Sequence, residues 1–239
     1  MEKEQVKSFG ILGAAIIIGL SIFGFLLGNA VIQFKEYERT VTVKGLAEQE
    51  HIADIVIWPI QFTEASNTLE DIYGSLEKSN EKSTQFLESN GIEELEISFA
   101  IPQVTDKLAQ QYGGGDRSEF RYVANQTVTV YSNDVEKVRA VMNKIGELGK
   151  QGIALTSQSY QFQTEYLFTR LNEIKPQMIE QATKEARAVA EKFAEDSNSK
   201  LGKIKTAYQG QFSISSRDQN NPHIKNIRVV STVVYYLSD

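Results

Sequence analysis

No cysteine occurs among the 239 residues, which excludes disulfide bridges, thiolate nucleophiles and cysteine-ligated metal sites. That absence is compatible with an oxidising compartment without specifying one. Histidine is almost as scarce, since His51 and His223 are the only two and each begins a predicted strand. They lack metal-ligand spacing, which leaves a metal-assisted hydrolase centred on either as a distant third reading of the sequence. No glycine-rich loop opens a helix and no Gly-x-Ser-x-Gly elbow is present. The net charge of -6 and an isoelectric point near 5.2, with no basic stripe, exclude nucleic acid as the main partner. Carboxylates are plentiful, but Glu70, Asp71, Glu77, Glu81 and Glu88 read as a solvated helix face. Glu93, Glu94 and Glu96 have no Asp-x-Asp-x-Asp-Gly loop around them. The sequence therefore names no catalytic residue, no cofactor and no metal ligand.

What it does contain is an uncharged run from Ser8 to Phe34 ahead of an ordinary soluble composition. At about 1.5 Å rise per residue, ~20 apolar residues cross a hydrocarbon core of ~30 Å. Residues 9–34 are read as a transmembrane anchor, with Phe9, Ile16, Leu20, Phe25 and Ile32 facing lipid and 9–32 contacting the bilayer. A tail, 1–8, precedes it, and a charged connector, 35–39, follows. The alternative is a signal segment cleaved near Ala30; the apolar core is longer than the usual 7–15 residues of a signal, which favours retention. Lys3 and Lys7 on one flank balance Lys35, Arg39 and Lys44 on the other, so flanking charge alone does not orient the body. Gly10, Gly13, Gly19, Gly24 and Gly28 leave room for close helix contacts but read as lipid-exposed.

Residues 40–239 alternate between the two hydrophobic periods. Thr40–Gly45 and His51–Ala65 predict strands, the second with Pro59 at a bulge or an unpaired edge position. Residues 68–91 predict a helix, capped by Asn67 or Thr68 and closed by Gly91, whose apolar stripe is interrupted by Ser79, Asn80 and Ser83. Glu94–Thr105 and Glu119–Tyr131 predict two strands of a hairpin with Gly113-Gly114-Gly115 at its tip, a candidate contact loop. A second helix starts at Asn133 and ends at Gly149 or Gly152, and Ser159–Arg170 predicts a strand. The third helix opens with Pro176 and carries the most regular stripe, from Met178 to Ala194. Lys203–Ser215 and Ile224–Leu237 are strands joined by the turn Asn220-Asn221-Pro222. The order β-β-α-β-β-α-β-α-β-β predicts an α+β body of mainly antiparallel strands with three helices, in two interlocked halves. Trp58, Tyr160, Phe162, Tyr235 and Tyr236 are candidate interface residues, with core packing as the plainer reading.

Several segments together resemble the SIMPL domain family of bacterial envelope proteins, in particular its membrane-anchored members. They are Val41–Glu48, Ala53-Asp54 followed by Ile57–Ile60, Phe168–Pro176, Ala182–Arg187 and Asn221–Val230. Gly45-Leu46-Ala47-Glu48 replaces the family's usual Gly-Glu-Gly-Glu, and Ala53-Asp54 its usual Pro-Asp. The resemblance implies a body facing the periplasm of a single-pass inner-membrane protein, with a tendency to self-associate and a link to stress tolerance in some relatives. It supplies no catalytic residues. The expectation is a non-catalytic, membrane-anchored envelope protein forming a homo-oligomer and linked to envelope integrity or stress tolerance. The alternative is a periplasmic module binding a small ligand or peptide in the groove between the halves, with Gly113–Gly115 as a lid.

Overall fold

The computed structural model describes residues 2–36, 39–109, 119–156 and 163–238, with side chains in the first helix placed at Gly13 and at 16–32. The first helix, α1, is Glu2–Glu36. The body follows as β1 (Thr40–Ile52), β2 (Ile55–Ser66), α2 (Leu69–Ser89), β3 (Ile97–Phe99), β4 (Gln103–Asp106), β5 (Tyr122–Ser132), α3 (Val135–Met142) and α4 (Gly146–Lys150). It closes with β6 (Glu165–Leu167), α5 (Leu171–Asp196), β7 (Lys200–Gln209), β8 (Ser213–Ser216) and β9 (Ile224–Ser238). The class is α+β with antiparallel strand pairing. The chain divides into two compact units: Met1–Glu48 with Lys175–Ser213 and Arg228–Asp239, and Gln49–Ile174 with Ile214–Ile227.

In the first unit, β9 lies between β1 and β7. One face of β1 alternates Val43, Gly45 and Ala47 inward, and α5 presents Ala182, Ala186 and Ala190, all fully buried. Val43, Ala186, Ala190, Val233 and Tyr235 form one apolar cluster. The alanine stripe permits an unusually close approach: a Cβ added at Gly45 would fall on the Ala182 carbonyl and the Ala186 amide of α5. Glycine is therefore required there by packing, independently of its backbone freedom.

In the second unit the sheet order is β3-β5-β2-β6, with β4 also on β5. The long β2–β5 ladder runs from Val56 opposite Ser132 to Ser66 opposite Tyr122. Period-two alternation sends Val56, Trp58, Ile60 and Phe62 inward with Ala124, Val128 and Val130, beneath α2 and α3. Thr68 caps α2 by accepting from the Asp71 amide (3.2 Å), and Gly91 follows its end at φ +86°. Ser79 and Ser83 do not weaken the stripe. Ser79 Oγ donates to Glu64 Oε1 (2.6 Å) and Ser83 Oγ to the Ser79 carbonyl (2.7 Å), so both are buried and satisfied.

Several sequence-based boundaries change. The first strand extends to Ile52, and Ala53-Asp54 is the turn into β2. Residues 94–105 are not one strand: Glu94–Glu96 is a 3₁₀ turn held by reciprocal bonds with Glu93, and β3 and β4 are separated by Ala100-Ile101-Pro102. The second helix breaks into α3 and α4 because Lys144 and Ile145 bond three residues back, and its cap is Asp134, not Asn133. Pro176 lies inside α5, which begins at Leu171; its ring forgoes one bond in the second turn. Of the expected strand at 159–170, the described part forms a strand at Glu165–Leu167, with 159–162 outside the described residues, and 203–215 is divided into β7 and β8. Pro59 is paired opposite Thr129 without a bulge. Gln61 and Thr63 bond on the side away from β5, and alternation puts the missing Pro59 N–H on that same side. It falls in the gap between Ile57, opposite Glu165, and Gln61.

Among the described residues no helix is long and apolar enough to cross a membrane. In α1 the side chains placed are those of Gly13 and of residues 16–32.

Candidate functional site

Three of the segments that carry the resemblance converge in the second unit. The Ala53 amide donates to the His223 carbonyl (2.8 Å) and the Asp54 amide to the Leu167 carbonyl (2.9 Å). The Asp54 carboxylate accepts from the Thr169 amide and from Thr169 Oγ1, both at 2.8 Å, and Arg170 Nε lies 3.4 Å away. Burial alone would raise the Asp54 pKa, but the Thr169 bonds, then the charge of Arg170, outweigh it and hold the carboxylate below its ordinary value of 3.8. A carboxylate lowered on folding stabilises the fold above its unfolded pKa, so this contribution is lost as pH falls below about 3.8. Asp54 is a staple joining β2 to the segment that opens α5. Asp54→Ala should cost about 1–2 kcal/mol, from the charge-assisted bonds lost, since Thr169 is exposed and its amide can turn to water. Chemical denaturation would measure it, and a cost near zero would show the staple to be idle.

Beside this staple, a cleft of about 1020 Å³ opens between α3, β6 and the turn from β8 to β9. Arg139 and Met142 border it from α3 and Tyr166 from β6, with Asp218, Asn220 and His223 from the turn. The Tyr166 hydroxyl points at Met142 Sδ (3.7 Å), a weak acceptor. Burial raises the Tyr166 pKa, against the charge of Arg139. His223 is 6% exposed, and its ring meets the edge of Tyr166 at 6.0 Å between centroids. Burial, and then the positive charge of Arg139, hold its imidazole below the ordinary 6.5. The folded protein thus binds that proton more weakly than the unfolded chain, and stability declines as pH drops below about 6.5. Asp218 is held below its ordinary value chiefly by Arg217, 2.9 Å away. Arg139 Nη1 contacts both Glu136 oxygens at 3.2 Å.

The residues expected from sequence to be functional are scattered. Trp58 and Tyr235 are buried in the two separate cores, so neither is available as a contact surface while the fold is intact. Tyr236 is half-buried with Lys205 Nζ 5.5 Å above its ring. Tyr160, Phe162 and Gly113–Gly115 lie outside the described residues. Ile16, Leu20, Phe25 and Ile32 are exposed on α1, and the Phe9 side chain is outside the description. His51 packs against Phe168, with ring centroids 5.4 Å apart, and its Nε2 lies 3.1 Å from Gln49 Oε1. Among the described residues no group of three His, Asp or Glu is arranged to hold a metal ion. Sequence reasoning missed Arg139 and gave Asp54 no role of its own. The available signal was that Asp54 sits in one of the resembling segments.

The body is α+β with antiparallel sheets, Gly45 lies under an alanine-faced helix, the Asp54 carboxylate is bonded to Thr169, and the second unit carries a polar cleft. The chain belongs to the SIMPL family, described as a protein of unknown function (DUF541), whose family model matches residues 41–231. A search of curated proteins finds no match.

Proposed function

We propose that the chain is a non-catalytic, bilayer-anchored protein of the bacterial inner membrane, with its body on the periplasmic side assembling as a homo-oligomer linked to envelope integrity or stress tolerance. The observation carrying this is the surface of α1, where every large apolar side chain placed from Ile16 to Ile32 is 49–69% exposed. Such a surface is untenable in water and is what a hydrocarbon core solvates. The hydroxyl of Ser21 is satisfied within the helix by donating to the Ile17 carbonyl (2.8 Å), as a lipid-facing helix requires. Support for self-assembly is the position of β7 at the border of its sheet with Ile204 and Tyr208 exposed. We expect light scattering on the detergent-extracted full chain and on the 35–239 fragment to give a multiple of the protomer mass. Ile204→Asp with Tyr208→Asp should reduce that mass to the protomer's. A strict monomer in both wild-type samples contradicts assembly.

The second reading, a periplasmic binder of a small ligand or peptide, is favoured by one observation, the polar cleft around Arg139, Tyr166 and His223. Saturable binding there would support it.

A further inference from the structure

We propose that the cleft beside α3 takes a small hydrophilic ligand through its carboxylate, with Arg139 as the charge partner and His223 as a hydrogen-bond partner. This rests on the ligand-binding reading. Its strongest support is His223, a polar side chain more than nine-tenths buried that borders the cleft. The His223 carbonyl is fixed by the Ala53 amide, but neither ring nitrogen has a hydrogen-bond partner among the described residues. The unpartnered ring nitrogens are not themselves shut off from solvent, so they face the water of the cleft, which a ligand group can displace. Held neutral, the ring offers one donor and one acceptor.

The charge of the ligand follows from the cleft's ionic inventory. Asp218 is already engaged by Arg217 and accepts from Asn221 Nδ2 (3.0 Å), so it calls for no ligand cation. Arg139 is ion-paired with Glu136, which is largely exposed, and also interacts with the Tyr166 hydroxyl at the cleft; exposed pairs are worth about 0–1 kcal/mol. Its guanidinium is therefore cheaply redirected to a carboxylate, whose two oxygens match the guanidinium fork. One exchangeable cation beside a neutral imidazole suits a single negative charge better than a phosphate dianion. Asn143 and Asn220 amides on the rim supply donors and acceptors for hydroxyl or amide groups flanking that carboxylate. The charges acting on His223 are Arg139 and Glu136 from α3 and Arg217 and Asp218 from the turn. Lys225, two residues after His223 in β9, donates from Nζ to Ser216 Oγ on the cleft lining (3.1 Å).

Two sources share this chemistry, a peptide C-terminus and a sugar acid. The test uses the full chain in detergent, titrated with N-acetyl-dialanine and its C-terminal amide, and with glucuronate and glucose, followed by calorimetry and by the His223 ring resonances. The expected result is saturable binding of at least one carboxylate, at least tenfold tighter than its neutral counterpart. His223 should titrate at higher pH when the ligand is bound, because a neighbouring carboxylate favours its protonated form. Arg139→Gln, a surface change that leaves the core intact, should weaken binding at least tenfold. His223→Gln should weaken it with the same folded spectrum. Equal binding of neutral counterparts, undiminished by Arg139→Gln, overturns the carboxylate assignment while sparing the ligand reading. No saturation by any of the four probes at millimolar concentration overturns both.

Discussion

Gly45→Ala should be among the most damaging single-methyl additions available to this chain. Gly45 faces inward from β1, and the added carbon would meet the Ala182 carbonyl and the Ala186 amide. Both are backbone atoms of α5, so no rotamer change relieves the overlap; the helix must lift. Lifting it opens the contacts of Ala182, Ala186 and Ala190, all fully buried. Ordinary overpacking costs about 1–3 kcal/mol, and a clash with backbone on a rigid helix belongs at or above the upper end, about 3 kcal/mol or more. For a body of this size that is a fall in Tm of roughly 6–12 °C. Gly74→Ala supplies the opposite sign, since Gly74 lies within α2 with nothing within 4 Å of an added carbon. It should stabilise by about 0.5–1 kcal/mol through helix propensity. Thermal melts of the two variants against the parent would decide, and equal Tm for Gly45→Ala and the parent would contradict the packing.

The second large effect concerns α1. Residues 9–32 contain 14 Leu, Ile, Phe or Val, each worth about -0.3 to -0.6 kcal/mol on an insertion scale, or roughly -4 to -8 kcal/mol together. Arginine near the centre of the span costs about 2.5–3.5 kcal/mol. Leu20→Arg with Phe23→Arg thus adds roughly 5–7 kcal/mol, enough to cancel the driving force. The double variant should be released from membranes by alkaline carbonate while the parent is retained. Leu20→Ile with Phe23→Leu should behave as the parent. Equal retention of the arginine variant would mean that the segment does not lie in lipid.

Much of the body was legible because burial of one face leaves a period. The alternation Val56, Trp58, Ile60, Phe62 and the positions Met178, Ala182, Ala186, Ala190 and Ala194 mark real core faces, whereas Val189 and Phe193 of the same helical stripe are exposed. Alternation misled at 94–105, where Leu95 and Ile101 keep the spacing of a strand yet are 96% and 90% exposed. There the Glu93–Glu96 cap and Pro102 shape the backbone locally, and no side-chain period reports them. The aromatic residues were legible as large apolar side chains, but the sequence did not say which face they take; Trp58 and Tyr235 point inward. The cleft was illegible for a different reason. Arg139, Tyr166 and His223 come from three distant segments, and those of Tyr166 and His223 are tied to the Ala53-Asp54 turn by backbone bonds, from Ala53 to His223 and from Asp54 to Leu167. Local spacing carries no trace of such a meeting.

The anchoring of the chain is tested most directly by flotation with phospholipid vesicles on a density gradient, comparing the full chain with the 35–239 fragment. The account predicts that the full chain rises with the vesicles at low and high salt alike, since apolar insertion is insensitive to screening, while the fragment stays at the bottom. A full chain that remains at the bottom with the fragment would contradict it.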